Sequence, residues 1–465
     1  MKKTPELSRR SLLKAGSAFA GASVFGVLPL KAFAQSMGLA PADHCFIFAY
    51  FSGGWDVLLS LDPRDPAVFT PERISETRIL PDYGANPGGY PTTIVRPEGS
   101  NIDFGPAIGN MANHFDVMSV VRGINMNTVA HEVGYRYFLT GKEPNGAAAR
   151  GSTLATEIVG QMVPTASTKV PVPNVAYSIE SYNDRYPGYA NALRVSSQQD
   201  LLLTLAPSPT QLDSEIEQAL IDLKGNKVSC EADLYNSRGL VGQYRDSLAQ
   251  MQTVLGAQLD KYFRFANVNG DSAELNAYRA AIRSAYGLGD GTNTTTPAAR
   301  AATAAAALKL GVSQCVSMNI VGGLDTHFNR QQQNATNQRS GWNALAALVT
   351  DLKSSEHPNG GKWMDHTTVL VFSEFSRTPL TNSTGGRDHH ISNSCMLLGK
   401  GIQHNRVFGK SGDVGMAAGL IDFETGLPSP NGQAILPDHV VATVMKAANI
   451  DYSITRVEPL NGLLA

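Results

Sequence analysis

The feature that most constrains this chain is its alternation of short β-type apolar runs with segments of helical period. The apolar runs lie at 45–51, 117–121, 175–179, 315–321, 367–372 and 395–398. The helical segments lie between or beside them, at 106–114, 131–139, 153–162, 340–352 and 439–448. Strands that alternate with helices pack as a mostly parallel sheet covered by helices on both faces. We therefore predict an α/β protein with such a sheet at its centre.

The stretch 201–310 interrupts this alternation. It has no β-type run, and its helical segments lie at 212–223, 232–263 and 272–288, followed by an alanine run at 298–308. We predict an α/β core formed by 35–200 and 311–465, with 201–310 as a helical insertion or cap. The alternative is a separately folding helical domain.

The amino terminus carries an export pattern. The letters SRRSLLK at 8–14 precede a small, mildly apolar run, and AFA at 32–34 matches a small-x-small cleavage site. Paired arginines in this setting indicate a twin-arginine signal peptide over 1–34. The alternative is a transmembrane anchor, but the run is too short and too rich in Gly, Ala and Ser to span a bilayer. We expect export by the twin-arginine translocase to the periplasm or outside the cell, with no stable membrane span.

Charge and cysteine content narrow the function further. The 465-residue chain has 38 basic and 40 acidic residues, a formal charge of −2. Nucleic-acid-binding proteins usually carry a strong basic excess, so we expect no nucleic-acid partner. The four cysteines include no Cys-x-x-Cys pair, which argues against a cysteine zinc site. Cys45, Cys315 and Cys395 stand in apolar runs, where cysteine is usually buried.

Polar residues gather where the apolar runs end, which is where open α/β sheets place their sites. The run 45–51 is followed by Ser-Gly-Gly-Trp-Asp, ending at Asp56, and the run 315–321 by Gly-Gly-Leu-Asp-Thr-His. In an extended segment residues i and i+2 point the same way, so Asp325 and His327 can bind one ion. The other candidates follow the run 367–372 or lie in a glycine-punctuated loop beyond it: Glu374, Arg377, Asp388, His389 and His390.

These side chains have the chemistry of a metal site. A set of carboxylates and imidazoles suits zinc, manganese or iron better than calcium, which prefers oxygen ligands alone. We expect a divalent cofactor, zinc or manganese. Each residue also has an ordinary explanation. An Asp after Gly-Gly is most often a turn or helix cap, which is the alternative for Asp56, and Glu374 can pair with Arg377 on the surface.

The segment 122–141 follows another apolar run and opens a helix at His131. The pair His131-Glu132 begins the metalloprotease pattern His-Glu-x-x-His, but Tyr135 stands at its fifth position, so this hypothesis is excluded. The sequence contains neither a Gly-x-Ser-x-Gly nucleophile elbow nor a phosphate-binding P-loop.

Five short motifs carry a family resemblance: GGWD at 53–56, YFLTG at 137–141, GLDTH at 323–327, SEFSRTP at 373–379 and GRDH at 386–389. In this order, and with the export signal, they resemble the exported family catalogued as domain of unknown function 1501, over most of the mature chain. That family is similar to the alkaline phosphatase and sulfatase superfamily. The resemblance implies a three-layer α/β/α sandwich with a metal site and, as substrates, small anionic esters of phosphate or sulfate.

The resemblance also implies roles for individual residues. Asp56 resembles the first metal-binding aspartate of the superfamily. Asp325 and His327 resemble the Asp and His that hold its other metal, although the usual spacing is wider. Two further matches are Glu374, where an aspartate is expected, and His389 or His390, which resembles the late metal-binding histidine.

The resemblance places the nucleophile in the segment 122–141, where family members tend to have Ser beside the histidine that matches His131. In this chain Ala130 stands at that position, and Thr128 is the nearby hydroxyl. We expect that Thr128 or a metal-bound water attacks, with His131 as ligand or proton shuttle. The alternative for Thr128 is a cap of the helix that contains His131.

Two functions follow from these residues. The first is an exported metal-dependent hydrolase, in which two ions activate the attacking group and Arg377 or Arg122 binds the ester's non-bridging oxygens. No cysteine stands in a Cys-x-Pro/Ala-x-Arg context, which argues against formylglycine sulfatase chemistry. The second is a non-catalytic exported binding or assembly protein that keeps the fold with a degenerate site. Ala130, and Phe375 in place of a ligand histidine, favour the second function.

Overall fold

The structure is a computed structural model, and it describes residues 39–85, 91–166, 170–206, 215, 258–328 and 331–465. In this part of the chain the strands are β1 (Cys45–Phe51), β2 (Met118–Asn125), β3 (Asn174–Tyr177), β4 (Leu193–Val195), β5 (Cys315–Val321), β6 (Thr367–Phe372), β7 (Ser376–Arg377), β8 (His389–His390), β9 (Ser392–Gly399), β10 (Arg406–Phe408), β11 (Leu420–Ile421) and β12 (Gln433–Ala434). The α-helices are α1 (Ile74–Thr77), α2 (His131–Thr140), α3 (Leu154–Met162), α4 (Gln198–Leu205), α5 (Asp260–Phe263), α6 (Ala273–Tyr286), α7 (Pro297–Lys309), α8 (Gln331–Ser354) and α9 (Pro437–Ala447).

Eight of these strands form the central sheet, in the order β10–β2–β9–β6–β1–β5–β3–β4. Strand β9 runs antiparallel to its neighbours β2 and β6, and the other neighbouring pairs are parallel. All six predicted apolar runs lie in or overlap strands of this sheet, and β1, β5 and β6 have the predicted bounds. The predicted mostly parallel sheet is therefore confirmed.

Both faces of the sheet are covered. Successive side chains of a strand point to opposite faces, and β1 accordingly divides its apolar residues between two cores. Ile47 and Ala49 belong to the core that contains residues of α7 and α8. Phe46 and Phe48 belong to the core that contains residues of α2, α3 and α9. The molecule is thus the three-layer α/β/α sandwich that the family resemblance implied.

In the described part of 201–310 the regular elements are α4 to α7, and they are helical as predicted. Helix α7 begins where the Thr296 side chain accepts a hydrogen bond from the Ala299 backbone, with Pro297 in its first turn. Its alanines from Ala299 onward are buried and contribute to the core on one face of the sheet. Segment 212–223 and most of 232–263 lie outside the described residues, so the division into core and helical insertion stays a prediction.

Two other predictions concern the amino-terminal export signal and the cysteines. The predicted signal peptide, 1–34, lies outside the described residues. Among the residues that are described, no helix is both long and apolar enough to cross a membrane. Cys45, Cys315 and Cys395 are free and fully buried, as predicted, and burial raises the pKa of the Cys45 thiol to about 12.

A buried aromatic group joins the carboxyl end of β1 to helix α8. The Trp342 ring centroid lies 4.6 Å from that of Phe51 and 5.6 Å from that of Trp55. All three side chains are fully buried. Because Trp55 belongs to the loop after β1, this packing fixes where that loop leaves the sheet.

We predict that Trp342→Ala lowers the free energy of unfolding by about 3–5 kcal/mol, since it removes buried apolar area and leaves a cavity. Denaturant titration measures the change. Leu427→Ala is the control, because Leu427 is 63% exposed and a surface change of this kind alters stability by about 0.5 kcal/mol or less. A loss for Trp342→Ala no larger than that of the control would contradict the packing role.

Candidate functional site

The candidate site lies where the loops after β6, β1 and β5 meet, at the carboxyl ends of three adjacent strands. Glycines allow this approach. Gly53 has a φ of +111°, and a Cβ there would lie 2.6 Å from the Asp325 backbone nitrogen. A Cβ at Gly54 would lie 2.5 Å from the Phe375 ring. Side chains other than hydrogen therefore do not fit at these two positions, which accounts for the Gly-Gly pair in the sequence.

Three side chains form a group that could hold a metal ion: His131, Asp325 and His389. One ligand atom from each lies within 4.8 Å of the others. The Nε2 atoms of His131 and His389 lie 3.7 and 3.6 Å from the Asp325 Oδ1. Two imidazole nitrogens and a carboxylate suit zinc and related transition metals, and three protein ligands leave a fourth position for another group. We call these three residues the metal-site cluster.

His327 adds a third imidazole at the edge of the metal-site cluster. Its Nε2 lies 3.1 Å from the Asp325 Oδ1 and 2.9 Å from the His389 Nε2. Its Nδ1 lies 2.8 Å from an Asp388 carboxylate oxygen, which can only accept. Asp388 therefore orients His327 from outside the cluster, and this hydrogen bond lowers the pKa of Asp388.

The tautomers of the three histidines follow from their outer partners. Nδ1 of His131 faces Glu374 at 2.8 Å, and Nδ1 of His389 faces the Val129 carbonyl at 2.7 Å. Since these partners and Asp388 are acceptors, each Nδ1 donates. A neutral imidazole then has its lone pair on Nε2. The three Nε2 atoms lie 3.1–3.7 Å from the Asp325 Oδ1, and those of His327 and His389 lie 2.9 Å apart. The Nε2 of His327 also accepts from the Arg377 guanidinium at 3.3 Å.

Glu374 lies behind His131. Its carboxylate is buried and accepts from the Gly53 N–H at 2.8 Å, the His131 Nδ1 at 2.8 Å and the Ser373 hydroxyl at 2.9 Å. The hydrogen bond to Glu374 raises the pKa of His131. Glu374 thus orients a candidate ligand, and it reaches the cluster through His131.

Arg377 holds Asp325 in place. Its fully buried guanidinium donates to the Gly54 carbonyl at 3.0 Å, to the Gly53 and Arg387 carbonyls, and to the Asp325 Oδ1 at 2.7 Å. It also donates to the His327 Nε2 at 3.3 Å. Burial acts to raise the pKa of Asp325, but the hydrogen bond and charge of Arg377 outweigh it, and the pKa is lowered. With these donors committed to the protein, Arg377 is a positioning residue for Asp325.

Asp56 lies apart from the cluster. Its buried carboxylate accepts from the Leu58 N–H at 3.0 Å and the Gln331 side-chain amide at 2.7 Å, and it lies 3.2 Å from the Arg387 Nε. It caps the short 3₁₀ helix Val57–Leu59. The structure therefore gives Asp56 the capping role named above as its alternative, and does not bring it to the other candidate ligands.

Three further candidates also face other partners. His390 follows His389 on β8 and points the other way, to the backbone of Ser392, where burial lowers its pKa. The Thr128 hydroxyl accepts from the Ala130 N–H at 3.1 Å, in the turn before α2. Arg122 donates to the Leu61 and Asp103 carbonyls. Of the two late histidines, His389 is the one in the cluster.

A cleft of about 1010 Å³ opens beside the cluster and includes His131, Asp325 and Glu374 in its lining. It extends past the carboxyl ends of β5, β3 and β4. Its other polar residues, among them Tyr135, Arg136, Glu180 and Arg194, were not identified from the sequence. Tyr135 follows His131 by one helical turn, so the sequence spacing could have placed the two on the same face of α2.

A histidine and aspartate cluster at the carboxyl edge of a mostly parallel sheet, within three layers, defines an α/β protein with a candidate metal centre. A family model described as "Protein of unknown function (DUF1501)" matches residues 46–420. The match covers more than half of the chain, so the protein belongs to this family. No curated protein matches the sequence.

Solved structures offer distant similarities. Ps i-CgsB, crystallised in complex with k-i-k-neocarrahexaose, matches at 9% identity and a TM-score of 0.34, over 91% of this chain and 75% of that one. A mutant TAB5 alkaline phosphatase with Mg bound in the M3 site matches at 11% identity and a TM-score of 0.32, over 89% of this chain and 99% of that one. The alkaline phosphatase from the Antarctic bacterium TAB5 matches at 10% identity and a TM-score of 0.30, over 88% and 99%.

We predict that Asp56→Asn lowers the free energy of unfolding by about 3–5 kcal/mol, because it leaves the Arg387 guanidinium buried without its carboxylate. The side chains of Arg387 and Asp56 are 0% and 1% exposed. Thermal and denaturant unfolding measure the loss. Asp103→Asn, in the exposed pair with Arg96, is the control and is expected to cost about 1 kcal/mol or less. Equal losses in the two variants would contradict a structural role for Asp56.

Proposed function

We propose that the protein is an exported metal-dependent hydrolase of phosphate or sulfate esters. The observation that carries this proposal is the approach of three imidazole Nε2 atoms to the Asp325 Oδ1, at 3.1–3.7 Å. Arg377 donates to the Nε2 of His327. The Nε2 atoms of His131 and His389 face the carboxylate, an arrangement that a proton or a cation between them stabilises, and each outer Nδ1 is already held by an acceptor. Histidines held in this way by carboxylates and carbonyls are typical of metal ligands. We assign zinc or manganese to this position.

The donor set suits a single ion. Among the described residues, the metal-site cluster is the one group of three or more candidate ligands close enough together to bind one ion. Asp56, which the resemblance assigned to another metal, pairs with Arg387. A divalent ion at this position would act as a Lewis acid and lower the pKa of a bound water.

The surrounding residues have distinct proposed tasks. Glu374 keeps His131 in the tautomer that presents Nε2, so we assign His131 as a ligand rather than a proton shuttle. Arg377 holds Asp325, and the ester reaches the cluster from the cleft. Thr128 remains the candidate hydroxyl for attack, since its contact with Ala130 uses the oxygen as an acceptor and leaves its proton free. The alternative attacker is water.

The proposal includes export of the protein from the cytoplasm. The twin-arginine pattern over 1–34 supports passage through the twin-arginine translocase to the periplasm or outside the cell. That route carries folded proteins, which suits a protein whose metal site joins loops distant in sequence.

A second function is favoured by one specific observation. The Arg377 guanidinium lies 2.7 Å from the Asp325 Oδ1 and donates to three backbone carbonyls as well. A fixed cation beside the ligand carboxylate weakens the attraction for a metal ion. This arrangement supports a non-catalytic exported binding or assembly protein that keeps the fold with a degenerate site.

We predict that the purified, folded protein contains near-stoichiometric zinc or manganese and hydrolyses at least one member of a panel of phosphate and sulfate esters. The free energy of unfolding should be about 2.7 kcal/mol lower in the presence of a chelator than in the presence of free metal at one hundred times its Kd. Asp325→Asn should lose both the metal and the turnover, because it removes the carboxylate on which the imidazoles converge. Elemental analysis, thermal unfolding and ester assays measure these outcomes.

Asp116→Asn is the matched control. Asp116 and Asp325 are both 51% exposed and both contact a basic side chain at 2.7 Å, but Asp116 lies outside the site. Metal-dependent stability without turnover would favour the non-catalytic function. Sub-stoichiometric metal together with no turnover would refute both the metal site and the hydrolase.

We also predict that Glu374→Gln lowers the metal affinity by about 10–100-fold, because a neutral amide holds His131 less firmly than a carboxylate does. Competition with a chromophoric chelator measures the affinity. Glu157→Gln is the control: Glu157 is equally buried, at 2% side-chain exposure, and pairs with Arg185 away from the site. Unchanged affinity in Glu374→Gln, or an equal loss in the control, would remove the orienting role.

A further inference from the structure

The cleft is much longer than an ester group. It begins at the metal-site cluster and follows the carboxyl ends of β1, β5, β3 and the edge strand β4. Neighbouring strands lie about 4.8 Å apart, so β1 and β4 are separated by about 14 Å. An ester at the cluster therefore leaves most of the cleft for the rest of the substrate.

Groups of both charges line this outer part. Arg136 makes a forked pair with Glu180, with nitrogen–oxygen distances of 3.0 and 2.9 Å. Arg194 lies on β4, in register with Ala176 of β3, and its charge reaches Glu180. Asp200 lies beyond it and accepts from the Ser196 N–H at 3.0 Å. Hydrogen-bond donors and acceptors of both charges thus line the outer cleft.

This mixed lining selects among substrate classes. A polyanionic body, such as a nucleic acid, would face the carboxylates of Glu132, Glu180 and Asp200. An apolar body would remove water from these charges without replacing its hydrogen bonds, which is costly. Hydroxyl groups both donate and accept, so a neutral hydroxyl-rich body satisfies the two kinds of group together.

Aromatic rings supply the remaining contact. The half-buried Tyr135 lines the cleft, and its ring packs at 4.6 Å against that of Tyr50, which is buried behind it. The Tyr135 hydroxyl accepts from the Glu180 N–H at 2.6 Å, which holds its ring in place. The exposed part of the Tyr135 ring is an apolar surface beside polar groups, which suits the C–H groups of a sugar ring.

We propose that the body of the substrate is a neutral oligosaccharide that carries the ester at one end, and that Arg194 binds hydroxyl groups of the sugar unit furthest from the ester. The inference rests on the proposed function for the ester end alone. Binding of the sugar body is a property of the outer cleft and does not require turnover.

The test is calorimetric binding of unesterified glucan, galactan and mannan oligosaccharides, one to six units long, to the purified protein. At least one series should bind with an affinity that rises with length and then levels off. Arg194→Met should weaken binding of the longer members about tenfold, the loss expected for a hydrogen bond to a charged group, and should leave the single sugar unchanged. Arg96→Met, at a 67% exposed arginine outside the cleft, is the control and should bind as the unaltered protein does.

Three outcomes would overturn the inference: no length-dependent binding in any series, equal binding by Arg194→Met and the unaltered protein, or preferential binding of an oligonucleotide or acidic peptide run in parallel. Length-dependent binding in a protein that hydrolyses no ester would refute the proposed hydrolase while supporting the sugar cleft. The two proposals therefore fail separately.

Discussion

The buried Glu374 carboxylate is the interaction on which the candidate site depends. It accepts hydrogen bonds from Gly53, His131 and Ser373, which belong to the loop after β1, the start of α2 and the end of β6. A buried carboxylate is costly unless its oxygens are satisfied. Three donors satisfy this one, and in doing so they join three segments that lie far apart in the sequence.

Arg377 joins loops in the same way, but as a buried cation that donates hydrogen bonds. Its buried guanidinium is satisfied by the carbonyls of Gly53, Gly54 and Arg387, and its contact with Asp325 brings the loop after β5 to the same place. One buried anion and one buried cation thus hold the loops of β6, β1 and β5 together. Because Gly53 donates its N–H to Glu374 and accepts from Arg377 through its carbonyl, the geometry of the site depends on the conformation of this loop as well as on the ligand residues.

The parts of the fold that could be predicted are those determined by local pattern. Strands β1, β5 and β6 are continuous apolar runs, and their ends are marked by glycine and polar residues, so both the sheet and the edge that carries the site were predictable. Within β8, alternation alone required that His389 and His390 face opposite sides, but their flanking residues do not indicate which one faces the cluster.

The roles of Asp56, Glu374 and Arg377 could not be derived in the same way. A carboxylate after a strand can cap, pair or ligate, and the choice depends on partners that only folding brings near. For Asp56 these are Gln331 and Arg387, both more than 270 positions away. The outer cleft was missed for a related reason, since β5 lies between β1 and β3 in the sheet although it follows both in the chain.

The orientation of the histidines distinguishes this cluster from an ordinary surface group of polar residues. Exposed imidazoles and carboxylates commonly pair with one another through whichever nitrogen is nearest. The two histidines of the metal-site cluster, and His327 at its edge, each turn Nδ1 to an outer acceptor and Nε2 toward Asp325. The acceptors differ in kind and come from different segments: the carboxylates of Glu374 and Asp388 and the carbonyl of Val129. The Nε2 atoms of His131 and His389 are thereby turned to a carboxylate, and like lone pairs brought together carry an energetic cost. The Nε2 of His327 has a donor of its own in Arg377, at 3.3 Å. A bound cation converts that cost into attraction, as a proton on the imidazole also does, so the orientation of the histidines adds to the ligand residue types as support for a metal centre.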